Sequence, residues 1–566
     1  MMKLGKTMGL TSALVITGML AMAQQQEGAK QGSVPKGWHL LDKAKDGYSG
    51  ISLDKAYEFV KSKNIKGKTV VVAVIDSGID TLHEDLKSVL WVNPKEIPGN
   101  GIDDDKNGYV DDVHGWNFIG GKDGRNLKQD SYEGARVYHK YKSKFENADP
   151  ATLTGDDAIT YEMWAKAKAR IDSDGGSGAD LFMLKTALRN AEKSDSVIRV
   201  AMKKDVYTGN DLDTFTAVSQ AEKNAKAGFL YLFRANKMME TTNKEFIEGF
   251  GEYVGMESKK AEAKDKAPEN FRAAITGDNE DDINDKYYGN PDVMANTPFH
   301  GTHVAGIIGA VRNNGIGMDG VADNVRIMAV RAVPDGDEHD KDIALAIRYA
   351  VDNGAQIINM SFGKDYSPQK KWVDEAVQYA ASKGVLLVHA AGNDAKNVDV
   401  KDNFPSPIYR DSSGKASNWI TVGASGDAAA GGLTASFSNY GKKEVDVFAP
   451  GVKIYSTIPG GNTYGDAQGT SMASPVVAGT AAFLKSYFPK LSPQQIKYCI
   501  EKSAQVPTEQ VRKPGTDEMV PMNELAVTGG VINVYEAAKI ASTLQGGKVP
   551  EKKKSSVKPT MKNKKG

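Results

Sequence analysis

"VVVAVID", residues 70–76, is the most informative apolar run in the chain. Six consecutive apolar residues, most of them β-branched, end at Asp76. A short continuous run of this kind predicts a strand that is buried on both faces, as in the parallel sheets of α/β proteins. Asp76 would then lie at the carboxyl end of the strand, where functional groups gather in such sheets.

Similar apolar runs follow along the chain, with amphipathic helical patterns between some of them. The runs cover residues 325–330, 356–360, 385–388 and 419–422, and helical patterns cover 342–353 and 369–383. Alternation of strand and helix predicts a parallel sheet with right-handed crossovers. The predicted fold class is therefore α/β, with a parallel sheet flanked by helices.

Composition argues against nucleic acid as a partner and does not identify any other partner. The 566 residues carry 72 Lys and Arg against 72 Asp and Glu, so no overall basic field favours nucleic acid. Cys499 is the only cysteine, which excludes an intramolecular disulfide and predicts a packed thiol. No segment after the N-terminus is long and apolar enough to predict a membrane span. The oligomeric state stays open.

The N-terminus has the pattern of a signal peptide over residues 1–23. Lys3 and Lys6 precede an apolar stretch at 10–20, and Ala21-Met22-Ala23 offers a small-residue cleavage site. The alternative is a membrane anchor, for which the apolar stretch is short. We therefore expect an exported protein that is secreted or located in the periplasm or cell envelope.

Changes in amino-acid composition and periodicity divide the rest of the chain into segments. Residues 121–290 are rich in Ala, Lys and Glu with helical periodicity, which predicts an inserted, mainly helical subdomain whose apolar faces pack on something. The sheet domain would comprise 65–120 and 291–544, preceded by an N-terminal segment at 24–64. Residues 545–566 are basic and predict a disordered tail.

Three segments carry candidate chemistry. "HGTHVAGIIGA" contains His300 and His303, although a histidine beside an apolar run is more often structural unless a nucleophile and a carboxylate join it. "GTSMASP" places Ser471 near the start of a helix, where it could also be an N-cap. "HAAGND" offers Asn393, an amide donor for an oxyanion or simply a turn residue.

Five motifs in a fixed order resemble one known family. "VIDSGID", "HGTHVAG", "NMSFG", "AAGN" and "GTSMASP" together resemble the subtilisin-like serine proteases, the subtilases of peptidase family S8. The chain order Asp, His, Ser is that of this family and differs from the order in chymotrypsin-like enzymes and α/β-hydrolases. The likeness covers residues 65–120 and 290–505 and leaves the insertion and the tail outside.

The resemblance implies a role for each residue of the three segments. Ser471 would be the nucleophile that forms an acyl-enzyme, His300 the general base and then acid, and Asp76 the carboxylate that orients the imidazole. His303 is then structural. Asn393 and the Ser471 backbone N–H would form the oxyanion hole.

The resemblance also implies an extended peptide or protein as substrate. In the family the substrate binds as an added strand, so main-chain hydrogen bonds supply affinity and pockets select side chains. Phe362 is bulky enough to narrow a subsite, or it packs in the core. The expected substrate-binding residues are Ser361, Phe362, Gly363, Ala390, Ala391 and Gly392.

"GNGIDDDKNGYVDD", residues 99–112, has the spacing of the first half of a calcium loop. His114 stands where the loop would end in a glutamate, so Asp112 or a distant residue must complete any shell. Family members often bind structural calcium, and the alternative is a solvated acidic turn. The predicted calcium ligands are Asp103, Asp105, Asn107, the Tyr109 carbonyl, Asp111 and Asp112.

Two departures from the family pattern affect the predicted function. Asp76 and His300 are 224 positions apart because the insertion intervenes, and we hypothesise that it caps or narrows the cleft. The segment before the first strand is short for an inhibitory pro-segment, which leaves activation open. A silent peptide-binding member and a peptide ligase are the alternatives to an endopeptidase. Silent members usually lose a triad residue, and here all are present.

Overall fold

A computed structural model describes residues 34–544, except for 175–177, 236–237, 240–241, 263–264, 297 and 412. The predicted signal peptide at 1–23 and the predicted tail at 545–566 lie outside these described residues, as do residues 24–33.

A seven-stranded parallel sheet in the order β2-β3-β1-β4-β5-β6-β7 forms the centre of the molecule. The strands are Val70–Asp76 (β1), Gly115–Asn117 (β2), Val325–Arg331 (β3), Ile357–Met360 (β4), Leu386–Ala390 (β5), Trp419–Ser425 (β6) and Val447–Pro450 (β7). Two antiparallel pairs stand apart from it, Ile454–Ile458 (β8) with Thr463–Ala467 (β9) and Val511–Arg512 (β10) with Met519–Val520 (β11). The predicted α/β fold with a parallel sheet is confirmed.

Helices cover both faces of the sheet and fill most of the insertion. In the described part of the chain they are Lys43–Asp46 (α1), Leu53–Ser62 (α2), Glu133–Phe145 (α3), Gly155–Asp174 (α4), Gly178–Met202 (α5), Gly209–Thr214 (α6), Gln220–Ala235 (α7), Asn243–Glu262 (α8), Ala273–Thr276 (α9), Phe299–Gly309 (α10), Asp340–Asp352 (α11), Lys370–Ser382 (α12), Thr470–Tyr487 (α13), Pro493–Ser503 (α14) and Val534–Leu544 (α15). None of them is both long and apolar enough to cross a membrane.

The central strand β1 sets the position of the site. It pairs with β3 in a register that sets Asp76 opposite Arg331, and with β4 in a register that sets Ile75 opposite Met360. The carboxyl ends of these three strands therefore meet at one edge of the sheet. Strands with both faces buried need apolar residues throughout, which is what "VVVAVID" supplies.

Small residues let α10 and α13 pack tightly together. A Cβ on Gly479 of α13 would lie 3.2 Å from the carbonyl oxygen of Ile308 in α10, and one on Gly306 would lie 2.4 Å from Ser456 Oγ. Larger residues would force these elements apart. Gly479 therefore lies at the contact of α13 with α10, and Gly306 lies at the contact of α10 with β8.

The N-terminal segment is part of the sheet domain. Trp38 is fully buried, and its indole N–H donates to the carbonyls of Val452 and Lys453. Leu53 and Val60 of α2 lie in the main apolar core, where α2 packs against α15. Loss of this segment would uncover core side chains.

The insertion has two parts and two anchored ends. Helices α3 and α4 share an apolar core with Tyr366 of the sheet domain, whereas α5 to α8 share a separate core built around Phe229 and Phe246. At the return, the buried Arg272 donates to both carboxylate oxygens of Asp342 in α11. The predicted insertion therefore begins and ends within the packing of the sheet domain.

Candidate active site

Asp76 and His300 form a hydrogen-bonded pair at the end of β1. Asp76 Oδ1 accepts from the Ser77 backbone N–H at 2.7 Å and lies 2.8 Å from His300 Nδ1. The carboxylate side chain is 3% exposed and the imidazole 37% exposed. When Nδ1–H is donated to Asp76, Nε2 carries the lone pair, so this nitrogen of a partly exposed ring can accept a proton.

Gly301 makes this pair possible. A Cβ at this position would lie 2.1 Å from the carbonyl oxygen of Gly78 and 3.2 Å from Asp76 Cβ. The first turn of α10 therefore approaches the end of β1 more closely than any other residue would permit. The glycine that follows His300 in the motif thus has a steric cause.

His303 is packed. It is fully buried, and its Nε2 donates to the Gly465 carbonyl at 3.2 Å. Burial lowers the pKa of His303 to about 4, so the ring is neutral at pH 7. The two histidines of the motif therefore lie in different environments, and His300 is the accessible one.

Ser471 lies inside the first turn of α13 and is not the N-cap, which is Gly469. Ser471 Oγ donates to the Ser361 carbonyl at 3.1 Å, and Ser361 Oγ donates to the Ser471 carbonyl at 2.9 Å. This reciprocal pair joins the start of α13 to the residue that follows β4. The serine and histidine segments thus meet at the same sheet edge, on helices that pack together.

Asn393 is oriented by Thr470. Its Oδ1 accepts from the Thr470 backbone N–H at 2.8 Å and from Thr470 Oγ1 at 3.0 Å. A Cβ on Gly469 would lie 3.4 Å from Asn393 Nδ2 and 3.6 Å from the Ser471 backbone nitrogen. Asn393 Nδ2 and the Ser471 backbone nitrogen therefore border one small space beside Gly469.

In the segment after β4, a hydrogen bond holds the Phe362 backbone, whereas the Gly363 backbone is exposed. The Phe362 carbonyl accepts from His389 Nε2 at 2.8 Å, and the half-buried Phe362 ring packs against the core beside β5. Gly363 is exposed and leaves its backbone open along one edge. Burial lowers the pKa of His389 to about 4.

The residues after β5 line the candidate site next to the segment that follows β4. Ala390 and Ala391 are buried, and the Ala391 carbonyl accepts from Asn403 Nδ2 at 3.1 Å. The Gly392 backbone N–H donates to Thr470 Oγ1 at 3.0 Å. Thr470 therefore orients both Gly392 and Asn393. Neither Thr470 nor Asn403 was predicted, because a threonine at the start of a helix and an asparagine in a loop have no distinctive spacing.

The acidic loop brings together only part of the predicted calcium set. Carboxylate oxygens of Asp103 and Asp105 lie within 4.8 Å of each other and of a Glu96 oxygen. Glu96 Oε2 is buried and has no hydrogen-bond partner among the described residues. Glu96 precedes the loop in the chain and was not predicted, since the loop pattern counts only forward from Asp103.

Asp111 and Asp112, which were also predicted as ligands, lie outside this cluster of three carboxylates and accept hydrogen bonds within the protein. Asp111 has a left-handed backbone (φ 53°), and its two oxygens accept from the backbone N–H groups of residues 99–101. Asp112 accepts from Asn93, Asn107 and the Tyr349 hydroxyl. Their lone pairs hold the loop in shape.

Asn107 and Tyr109 are bonded to each other inside the loop. Asn107 Oδ1 accepts from the Tyr109 backbone N–H at 2.8 Å. Asn107 also donates from its backbone N–H to Asp103 Oδ1 at 3.0 Å. These bonds close the turn around Asp103 and Asp105, so the loop geometry supports the two carboxylates that face Glu96.

A protein-family model described as the subtilase family matches residues 67–522. The match includes the whole parallel sheet and the insertion. It therefore covers most of the chain.

Curated relatives are similar over about a third of the chain. The thermophilic serine proteinase of Bacillus sp. (strain AK1) is 48% identical over 188 residues, 33% of this chain and 42% of the relative. Subtilisin BL of Lederbergia lenta is 39% identical over 206 residues, 36% of this chain and 70% of the relative. The alkaline protease of Alkalihalobacillus alcalophilus is 39% identical over 206 residues, 36% of this chain and 49% of the relative. The chain thus spans about half the length of two of these three.

A solved protease structure from Pseudoalteromonas arctica covers 91% of this chain and all of its own, at 20% identity and a TM-score of 0.43.

Proposed function

This chain belongs to the subtilase family of serine endopeptidases, and we propose that it hydrolyses peptide bonds through an acyl-enzyme formed on Ser471. The observation that carries the proposal is the 2.8 Å contact between His300 Nδ1 and Asp76 Oδ1. A serine hydroxyl needs a base, and the base needs an orienting carboxylate. The packing of α10 on α13 supports a common site for these residues.

The proposed mechanism assigns each proton to a stated atom. His300 Nε2 takes the proton of Ser471 Oγ as the oxygen attacks the carbonyl carbon of the substrate, and Asp76 stabilises the resulting imidazolium. Nε2 then gives the proton to the leaving amine. A water molecule, activated in the same way by His300, hydrolyses the acyl-enzyme and frees Ser471.

Asn393 Nδ2 and the Ser471 backbone N–H would stabilise the oxyanion. Both border the space beside Gly469, and Thr470 holds the amide of Asn393 by its oxygen so that the NH₂ group faces that space. Donors that are oriented before the reaction need no reorganisation when charge develops. This arrangement supports the role that the motif implies.

An extended peptide is the proposed substrate. Ser361, Phe362 and Gly363 would pair with its backbone, while Ala390, Ala391 and Gly392 would line the pocket for the residue before the cut. The exposed edge of Gly363 supports this position.

Calcium is the proposed structural ion, held by Glu96, Asp103 and Asp105. Calcium prefers carboxylate oxygens, and the buried, unpartnered Glu96 Oε2 beside two further carboxylates fits such an ion. The ion would neutralise three clustered negative charges and so stabilise the loop that follows β1. Asn107 and the Tyr109 carbonyl remain candidate further ligands, whereas Asp111 and Asp112 lie outside the cluster of three carboxylates.

We propose that the protein is exported to the cell envelope or the medium. The basic start, the apolar stretch and the small-residue site within residues 1–23 support this location. Immunoblots of culture fractions, together with N-terminal sequencing of the exported chain, would test it.

Covalent labelling tests the proposed function. An active-site serine phosphonate should label the wild-type protein and not Ser471→Ala, and casein or short peptides should be cleaved only by the wild type. A folded wild-type protein that binds peptides without being labelled would indicate the silent alternative. Product analysis with a competing amine would separate hydrolysis from ligation.

A further inference from the structure

The chain beyond β3 offers a second wall for a peptide cleft. The Asp335 backbone N–H donates to the Lys128 carbonyl, and its carbonyl accepts from the Asp130 N–H. The Asp337 backbone N–H in turn donates to the Ser131 carbonyl, so both chain neighbours of Gly336 are hydrogen-bonded to the insertion. Gly336 is exposed, and its backbone makes no hydrogen bond to a described residue.

A similar open edge exists after β4. Gly363 is exposed, and its backbone also makes no hydrogen bond to a described residue. Because β1 lies between β3 and β4 and ends at Asp76, the continuations of β3 and β4 leave a slot in line with β1. An extended peptide in this slot would pair with Gly336 on one side and Gly363 on the other.

Lys364 joins the two walls of this slot. Its side chain is 1% exposed, and its Nζ donates to the Glu338 carbonyl of the opposite wall at 2.7 Å. The same Nζ lies 2.8 Å from Glu133 Oε2 of the insertion and 3.0 Å from Asp340 Oδ1. We refer to Lys364 with Glu133, Glu338 and Asp340 as the lysine bridge.

The insertion fixes the lysine bridge in place. Glu133 lies at the start of α3, and Arg136 binds it at 2.6 Å and the carbonyls of Asp337 and Glu338 at 3.0 and 3.2 Å. Burial opposes the charge of Lys364, but Asp340 and Glu133 outweigh it and raise the lysine pKa. The ammonium therefore stays charged and paired.

We propose that the lysine bridge closes the acyl side of the cleft, so that only about three residues before the cut bind as an extended strand. Ser361 contacts Ser471, and Lys364 follows three residues later, about 10 Å along an extended chain. Residues further from the cut turn out to solvent, since a buried ion pair with its carbonyl contact occupies their path. Lys364 is thus a specificity-determining residue, an inference that rests on the proposed function.

A length series of peptides tests this inference on the full chain. Amino-acetylated peptides with two to six residues before one fixed scissile bond are compared by kcat/KM. For the wild type, kcat/KM should rise strongly as the peptide lengthens to three residues before the cut. Each further residue should change kcat/KM by less than about threefold. Continued gains of more than tenfold at four and five residues would overturn the inference while leaving the proposed function intact. Absence of cleavage of every peptide, with no phosphonate labelling, would overturn the proposed function instead.

Variants of the lysine bridge supply a second measurement. Lys364→Ala leaves buried carboxylates unpaired and risks misfolding, so Lys364→Ala with Glu133→Ala removes one charge of each sign. The double variant should show at least a tenfold gain from the fourth and fifth residues. Lys497→Ala, which removes a lysine bonded to Trp419 and Asp446, is the control and should keep the wild-type length profile. Identical profiles for the double variant and the wild type would overturn the inference.

Discussion

Two glycines lie at contacts between the segments of the candidate site. Gly301 admits the carbonyl of Gly78 at a distance that no Cβ would allow, and Gly469 lies beside Asn393 Nδ2 and the Ser471 backbone nitrogen. Neither glycine takes part in proton transfer. Their role is to let backbone and side chains approach, so the motifs "HGTH" and "GTS" contain as much packing as chemistry.

We expect Asn393→Ala to lower kcat about a hundred- to a thousand-fold, which is the loss already known for the oxyanion asparagine of subtilisin, a member of this same family. The substitution removes one oxyanion donor and leaves the Asp76–His300 pair intact. Steady-state kinetics per active site, counted with the phosphonate, would measure the loss.

The control for this variant is Asn418→Ala. Asn418 is a buried asparagine that donates to the Val385 carbonyl and lies between α12 and β6, so its loss should affect stability more than kcat. A loss below about tenfold in Asn393→Ala would remove Asn393 from the oxyanion hole.

Candidate residues could be named from the sequence where a motif contains them. Asp76, His300, Ser471 and Asn393 each lie in a distinctive string, and the structure brings their segments to one edge of the sheet. Thr470 was missed because its role depends on a contact with Asn393 across the fold. No spacing along the chain reports such a contact.

The acidic loop shows the limit of pattern counting within one element. The spacing predicted Asp103 and Asp105 correctly as neighbours, but Asp111 turns back to bind the backbone of residues 99–101. Glu96 enters from the preceding segment. Its place depends on the tertiary path of the loop, which a linear pattern does not contain.

Calcium should raise the melting temperature of the protein by roughly 2 °C at a concentration far above Kd, because binding only the folded state stabilises it by about 2.7 kcal/mol at a hundredfold excess. Glu96→Gln should lose most of this response. Calorimetry in the Ser471→Ala background, which prevents self-digestion, would measure both.

Asp111→Asn is the matched control for the calcium response. It removes a charge from the same loop but not from the Glu96 cluster, so it should lower stability and keep the response to calcium. A chelator that leaves the wild-type melting temperature unchanged would contradict the calcium site.

Within the parallel sheet, β1 and β3 to β6 were predictable, and β2 and β7 were not. The apolar runs at 325–330 and 419–422 correspond to β3 and β6, within a few residues at their ends. β2 is Gly-Trp-Asn, and β7 has only three apolar residues between Asp446 and Pro450. Neither has a pattern that separates it from loop sequence.

At the scale of the whole molecule, buried neutral histidines make stability depend on pH. Burial lowers the pKa of His303 and of His389 to about 4, from an ordinary value near 6.5. Between these values the unfolded chain binds protons that the folded chain does not. Stability is therefore full above about pH 6.5 and is lost as the pH falls towards 4.

We expect His389→Gln to lose about 2 kcal/mol less stability than the parent between pH 7 and pH 5, because glutamine keeps a donor for the Phe362 carbonyl and does not titrate. Urea unfolding at the two pH values, in the Ser471→Ala background, measures the difference. Equal losses in the parent and the variant would contradict the burial argument.

The boundaries of the insertion could not be set from the sequence. The texture changes near 121 and 290, yet Asn117 and Asn290 are joined by backbone and side-chain hydrogen bonds, and Arg272 lies in the sheet domain. Both ends of the insertion therefore contribute to the cleft and to the core of the sheet domain. Excision to test the cap hypothesis should spare residues 128–145 and 272–290 and remove only α5 to α8.

The place of β1 in the sheet has a consequence for biosynthesis. β1 binds β3, which the ribosome completes only after the whole insertion, and at about 5–20 residues per second the delay is on the order of ten seconds or more. Throughout that interval the apolar segment of β1 lacks the strands with which it pairs in the folded protein. If α5 to α8 fold early around their phenylalanine core, they bring the two ends of the insertion together. β1 and β3 then meet sooner. The newborn polypeptide is thus most vulnerable to aggregation before the insertion has finished folding.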